Sequence, residues 1–163
     1  MKNKVPRFVA RVYCKGCEHS QPDAEGKDCT YGCIGCGGCV ESCKLHAITI
    51  GEHGAAVVDE KKCVGCGLCI KACPQDIIHK VAADHSFQPL CSNRDAAAAA
   101  KKACDNSCIG CRICEKNCPM GAITIEGNHA VIDEELCTDC GFCLVKCPRG
   151  VIEDVRGLIC KNR

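Results

Sequence analysis

The sequence is poor in the side chains that usually fill a protein interior. It has no tryptophan, two tyrosines, three phenylalanines and two methionines in 163 residues. For one domain or two small ones, such a composition makes a thin organic core, so something else must occupy the centre. Long apolar runs are also missing: no stretch approaches roughly 18 apolar residues without a charge, which excludes a membrane-spanning helix. Met1 to Val12 carries Lys2, Lys4, Arg7 and Arg11 and no apolar h-region, so a secretory precursor is not expected and a reducing, cytoplasmic compartment is. Neither sign of charge dominates. The formal charge is +1, with Lys and Asp/Glu interspersed, and this leaves no basic stripe for nucleic acid.

What the chain has in excess is cysteine, 22 residues of it, and this leaves a disulfide scaffold, a zinc array or iron–sulfur clusters. The spacing decides among them. Cys33, Cys36, Cys39 and Cys43 read C-x2-C-x2-C-x3-C, and the same run recurs at Cys63, Cys66, Cys69 and Cys73. It appears again at Cys108, Cys111, Cys114 and Cys118, and at Cys137, Cys140, Cys143 and Cys147. Three of the four runs end in Cys-Pro, at Pro74, Pro119 and Pro148, where the proline stops or kinks the chain after the last thiol. Zinc sites use two separated pairs closing one tetrahedral ion, so four consecutive thiols would be redundant there. Disulfides are rare in a reducing compartment. The run is that of bacterial ferredoxins, whose first three cysteines hold one cluster while the fourth ligates the other cluster of a pair.

By that crossed rule, cluster I takes Cys33, Cys36, Cys39 and Cys73, and cluster II takes Cys63, Cys66, Cys69 and Cys43. Cluster III takes Cys108, Cys111, Cys114 and Cys147, and cluster IV takes Cys137, Cys140, Cys143 and Cys118. Four [4Fe–4S] clusters are thus expected, with metal binding and folding coupled. Each oxidised cluster with its thiolates carries about −2, which takes the chain from +1 to roughly −7. Lys44, Lys62, Lys71, Lys116 and Lys146 stand near the runs as partial counter-charges or as plain solvated surface.

The two halves are an internal duplication. A 75-residue shift carries Cys29 to Cys43 onto Cys104 to Cys118, and a 74-residue shift carries Cys63 to Cys73 onto Cys137 to Cys147. Ala47-Ile-Thr-Ile50 and Ala56-Val-Val-Asp59 match Ala122-Ile-Thr-Ile125 and Ala130-Val-Ile-Asp133. Each pair of β-branched segments flanks a Gly-containing turn, the signature of a hairpin. Short helical turns are expected after the third Cys of each run. The fold class is α+β: two tandem bacterial-ferredoxin-like 2[4Fe–4S] modules with small hairpins and short helices. The first module spans 1–82 with an N-terminal strand extension, and the second spans 83–163 with a strand-and-helix extension.

Six cysteines lie outside the runs: Cys14, Cys17, Cys29, Cys91, Cys104 and Cys160. The strand-like Phe8 to Tyr13 leads into Cys14, and Phe87 to Leu90 leads into Cys91. Cys29 and Cys104 each precede a run by four residues, and an alanine-rich helix with a cationic end, Asp95 to Lys102, separates Cys91 from Cys104. These thiols read either as a redox dithiol or alternative ligands, or as small buried hydrophobes, with the second preferred. Cys17 has no counterpart in the second half, and Cys160 sits in a polar tail. His46, at the place of Gly121, reads as a capping or surface residue.

The segments Cys29-Thr-Tyr-Gly-Cys33-Ile-Gly-Cys36-Gly-Gly-Cys39, Lys101-Lys102-Ala-Cys104-Asp-Asn-Ser-Cys108-Ile-Gly-Cys111 and Cys118-Pro-Met-Gly-Ala-Ile resemble one particular family. They are similar to the C-terminal polyferredoxin part of the B subunit of the Rnf complexes, the ion-translocating ferredoxin:NAD oxidoreductases of anaerobic bacteria. The likeness runs from about Pro6 to Ile152. It implies a relay of single electrons from a ferredoxin-like donor to a membrane partner subunit, at the cytoplasmic face of a membrane complex. That subunit normally begins with a membrane anchor and a further iron–sulfur domain, so a fragment or a free-standing soluble relative is expected here. Many relatives have an apolar residue where Cys36 stands, which leaves Cys29 and Cys36 as alternative ligands of cluster I.

No Rossmann or phosphate-loop glycine pattern, flavin signature or nucleophile–base pair occurs in the sequence, so no catalytic residue is expected. The alternatives to an Rnf-like relay are the iron–sulfur subunit of a soluble multi-subunit oxidoreductase, a free-standing polyferredoxin, or a metal-storage protein.

Overall fold

The computed structural model describes residues 7–16 and 29–159. The apolar segment Phe8–Val12 forms β1 and buries Val9, Ala10 and Val12. In the first half, α1 (Gly38–Glu41) follows, then the hairpin strands β2 (Ile48–Ile50) and β3 (Ala56–Val58), then α2 (Leu68–Ala72) and β4 (Ile78–Ala82). The second half repeats the order: β5 (Phe87–Pro89), α3 (Ala97–Ala103), α4 (Ile113–Lys116), β6 (Ile123–Glu126), β7 (His129–Ile132), α5 (Phe142–Lys146) and β8 (Ile152–Asp154). Only α3 has no counterpart among the described residues of the first half.

Among the described residues the four sheets are all two-stranded and antiparallel. β1 pairs with β4 and β5 with β8, so each half is closed by joining its first strand to its last. The ladder extends past the strand ends, through Tyr13 N–H to the Ile77 carbonyl at 2.8 Å in the first half and Leu90 N–H to the Val151 carbonyl at 3.1 Å in the second. The hairpins β2–β3 and β6–β7 lie where the β-branched segments place them. In β6–β7 the turn is Gly127-Asn128, both at positive φ (49° and 66°), the left-handed pair that suits a two-residue hairpin connection.

The helices other than α3 span four or five residues and could not stand alone in water. Each contains the third Cys of its run and packs as a pair with its counterpart in the same half, α1 on α2 and α4 on α5. Two cores result. One gathers Val9, Val12, Ile48, Ile77, Ile78 and Val81 around Cys39, Cys63 and Cys69. The other gathers Phe87, Ile123, Leu144 and Ile152 around Cys114 and Cys143. Thiols are thus part of both cores, as the scarcity of aromatics requires.

The halves are also tied to each other. Tyr13 Oη donates to Gln88 Oε1 at 3.1 Å, Ser92 Oγ to the Tyr31 carbonyl at 2.7 Å, and Asn106 Nδ2 to the Gly16 carbonyl at 3.0 Å. Lys15 pairs with Glu153 and donates to the Gly150 carbonyl at 3.2 Å. Among the described residues, no helix is long and apolar enough to cross a membrane.

Candidate metal centres

Each run wraps into a loop by the same local device. The residues on either side of the second Cys turn left-handed: Gly35 and Gly37, Gly65 and Gly67, Gly110 and Arg112, Asp139 and Gly141. Glycine holds six of these eight places, because a side chain at positive φ is strained. The alternation turns successive N–H groups towards one side, a concavity suited to anionic sulfur. At Gly65 space is limiting as well, since a Cβ there would meet the Phe8 carbonyl oxygen at 2.6 Å. After the fourth Cys, a second left-handed residue reverses the chain, at His46, Asp76, Gly121 and Gly150. His46 accordingly sits in that turn, exposed, as its match to Gly121 implied.

Cys33, Cys36, Cys39 and Cys73 line one cavity, so the first three thiols of one run meet the fourth of the other. Cys108, Cys111, Cys114 and Cys147 line another, and Cys118, Cys137, Cys140 and Cys143 a third. In the second run Cys69 lies near Cys63 and Cys66. Of the alternatives Cys29 and Cys36, it is Cys36 that lines the cavity with Cys33, Cys39 and Cys73. Cys29 lines a different one.

Amides point at the sulfurs. Ala47 N–H donates to Cys43 Sγ at 3.4 Å and Ala122 N–H to Cys118 Sγ at 3.3 Å, the same bond in each half. Cys63 Sγ accepts from Ala10 at 3.3 Å and Gly65 at 3.5 Å, so β1 reaches directly into the thiol set of the second run. Burial pushes the Cys69 and Cys114 thiols up to about 11 and Cys143 to about 12, and the crowding of neighbouring thiols adds to the rise. Such thiols are protonated at neutral pH until a metal takes the proton's place.

The donor sets fit an iron–sulfur cube. None of the twenty described cysteines is disulfide-bonded. Among the described residues, the only three metal-type donor atoms within 4.8 Å of one another belong to His85, Cys137 and Asp139. No three thiols of any set are that close, whereas a tetrahedral zinc with Zn–S near 2.3 Å draws sulfurs to roughly 3.8 Å of one another. Three of the sets place four thiols around one space, the donor complement of a cube with an iron at each thiolate.

The cysteines outside the runs are not scattered. Cys14, Cys29, Cys91 and Cys104 all line one further cavity, with Gly32, Asn93 and Ser107 on its wall. The preferred expectation of separate small buried thiols did not anticipate that meeting. It also missed Asn93, which is 1% exposed and donates from Nδ2 to Cys29 Sγ at 3.4 Å. The signal was present in the recurrence of Cys14 as Cys91 and Cys29 as Cys104, but spacing alone does not bring two halves together. Cys17 and Cys160 lie outside the described residues.

A family model described as a 4Fe-4S dicluster domain matches residues 32–77 and again 107–151, and a second model of the same description matches 62–122. The chain is 38% identical over 161 residues to the B subunit of the Na(+)-translocating ferredoxin:NAD(+) oxidoreductase complex of Acetobacterium woodii, covering 88% of this chain and 48% of that protein. It is 44% identical over 131 residues to the B subunit of the proton-translocating ferredoxin:NAD(+) oxidoreductase complex of Clostridium ljungdahlii, covering 79% and 46%. With the B subunit of the ion-translocating oxidoreductase complex of Methanosarcina acetivorans it shares 43% over 127 residues, covering 78% and 48%. The chain spans about half the length of these curated relatives.

Proposed function

The chain belongs to the 4Fe-4S dicluster domain family, and from that membership we propose that it is a four-cluster electron relay working as part of an Rnf-like complex. The relay accepts electrons from a low-potential, ferredoxin-like donor and delivers them to a partner oxidoreductase subunit at the cytoplasmic face of a membrane. Residues 1–82 make up its first module and residues 83–163 its second. When bound, each cluster supplies one-electron, outer-sphere transfer.

The residues proposed as ligands are the crossed sets: Cys33, Cys36, Cys39 and Cys73; Cys63, Cys66, Cys69 and Cys43; Cys108, Cys111, Cys114 and Cys147; and Cys137, Cys140, Cys143 and Cys118. Their thiolates make every site anionic before reduction, which holds its potential down, while the amides of Ala10, Ala47, Gly65 and Ala122 donate to sulfur and offset part of that charge. The short helices and left-handed loops fix the thiols, so a site changes charge with little movement. The observation that carries this reading is the meeting of thiols from two separate runs around one cavity, seen at Cys73, Cys147 and Cys118.

The test is anoxic affinity purification of the chain from its own cells. Co-purification with membrane Rnf-type subunits is expected. Recovery with a soluble flavoprotein or molybdoenzyme instead would refute the Rnf-like placement, and a colourless preparation after anaerobic reconstitution would refute the relay itself.

A further inference from the structure

We propose that Cys14, Cys29, Cys91 and Cys104 hold a fifth [4Fe–4S] cluster, which joins the two ferredoxin modules into one continuous path. This rests on the relay reading above and adds a site that the four repeated runs do not encode.

The four thiols come two from each half. β1 runs out into Cys14 and β5 into Cys91, and these two residues face each other in an isolated antiparallel bridge. Cys29 and Cys104 stand at matching places ahead of the first and third runs. Together they line one cavity, as each of three run-cysteine sets does. A Cβ on Gly32 would lie 3.4 Å from Cys14 Sγ and 3.6 Å from Cys29 Sγ, so a glycine here leaves the space beside both sulfurs open.

The sulfurs are dressed as those of the runs are. Gly16 N–H donates to Cys14 Sγ at 3.4 Å and Asn93 N–H to Cys91 Sγ at 3.5 Å, the same two-residue offset as Gly65 to Cys63 at 3.5 Å. Asn93 Nδ2 adds a side-chain donor to Cys29 at 3.4 Å. Arg149 donates to the Cys104 carbonyl at 3.0 Å and brings a cation beside an anionic site. No three of these sulfurs lie within 4.8 Å of one another, as a tetrahedral zinc would require, a property they share with the run cysteines.

Placement gives the cluster its role. The backbone amide of Cys33, which lines the cavity with Cys73, points at Cys14 Sγ. That of Cys108, which lines the cavity with Cys147, donates to Cys91 Sγ at 3.3 Å. The site is therefore one hydrogen bond from a thiol set of each module. In each hop the cluster giving up the electron is oxidised by one and the cluster receiving it is reduced by one, with no bond made or broken. The electrons come from the same external donor as in the relay.

Native mass spectrometry of the anaerobically reconstituted full chain counts clusters without altering the protein. Five [4Fe–4S] increments are expected, and the Cys14→Ser/Cys91→Ser variant should show four. Four increments in the wild-type chain, or one zinc ion in place of the fifth, would overturn the fifth site and leave the relay standing. No increments at all would overturn both. A second measurement does not depend on the variant folding. Cys14, Cys29, Cys91 and Cys104 should resist iodoacetamide in the loaded wild-type protein and react after iron chelation, and their labelling in the loaded protein would overturn the proposal.

Discussion

Crossed ligation can be tested by counting iron in pairs of substitutions. If Cys73 belongs with Cys33, Cys36 and Cys39, the Cys73→Ala/Cys33→Ala variant damages one cluster and loses about four Fe relative to wild type. Cys73→Ala/Cys63→Ala then damages two clusters and loses about eight. Ligation within each run reverses the two numbers. The crossed link should also show in stability, because it ties Cys39 to Cys73 across roughly 35 residues. Treated as a cross-link on the unfolded chain, that closure contributes about 4 kcal/mol by loop entropy. Cys73→Ala should therefore lower the denaturant midpoint for the first half well beyond the effect of a surface substitution. The assay is anoxic iron and sulfide quantitation with EPR of the dithionite-reduced variants. A loss of about eight Fe in Cys73→Ala/Cys33→Ala and about four in Cys73→Ala/Cys63→Ala would refute the crossed assignment.

Three further outcomes follow from particular contacts. Gly65→Val places a side chain at φ +64° against the Phe8 carbonyl and should destabilise the loaded protein by about 2–3 kcal/mol, read from the guanidinium midpoint of visible absorbance; a change under about 0.5 kcal/mol would contradict the geometry. Glu60→Ala strands the guanidinium of Arg11, which is 4% exposed, and should cost about 3 kcal/mol, with Arg11→Met milder because it removes the charge as well; the reverse order in denaturation would refute this. Cluster loss should quicken as pH falls from 8 to 6. Held thiolates bind no proton, whereas released thiols rebind one each below about pH 8.5, so stability rises with pH by up to about 1.4 kcal/mol per unit per thiol and levels off above that value. If iron leaves while the pocket stays folded, burial extends the dependence towards about 11 at Cys69 and Cys114. A flat rate of bleaching with chelator across pH 6–8 would refute the linkage.

Local structure was largely legible because its causes are local. The hairpins follow from β-branched segments around Gly51–Gly54 and Gly127-Asn128, and the strand leading into Cys14 and the alanine helix follow from their own composition. The closing strands β4 and β8 carry no such local signal. Ile78–Ala82, interrupted by His79 and Lys80, becomes a strand through pairing with β1, about seventy residues earlier in the chain. The crossed sets were accessible through a known ligation rule, whereas the meeting of Cys14, Cys29, Cys91 and Cys104 obeys no such rule. It depends on how one module docks on the other, and that docking is written in dispersed polar contacts such as Tyr13 to Gln88 and Asn106 to Gly16.

Those contacts explain why the extensions are there. A crossed ferredoxin module is complete in itself, since each of its two sites draws every proposed ligand from its own half, so nothing in the repeated runs requires two modules to touch. Electron transfer between them does require a fixed separation. Cys14, Cys29, Cys91 and Cys104 all fall outside residues 32–77 and 107–151, the segments that match the dicluster model. So do Tyr13, Lys15, Gly16, Tyr31, Gln88 and Ser92, which make bonds between the halves. The same residues that dock the modules thus bring the four thiols together. A duplicated ferredoxin without these extensions would be two carriers on one string, and with them the two halves are held at a set distance with a site between.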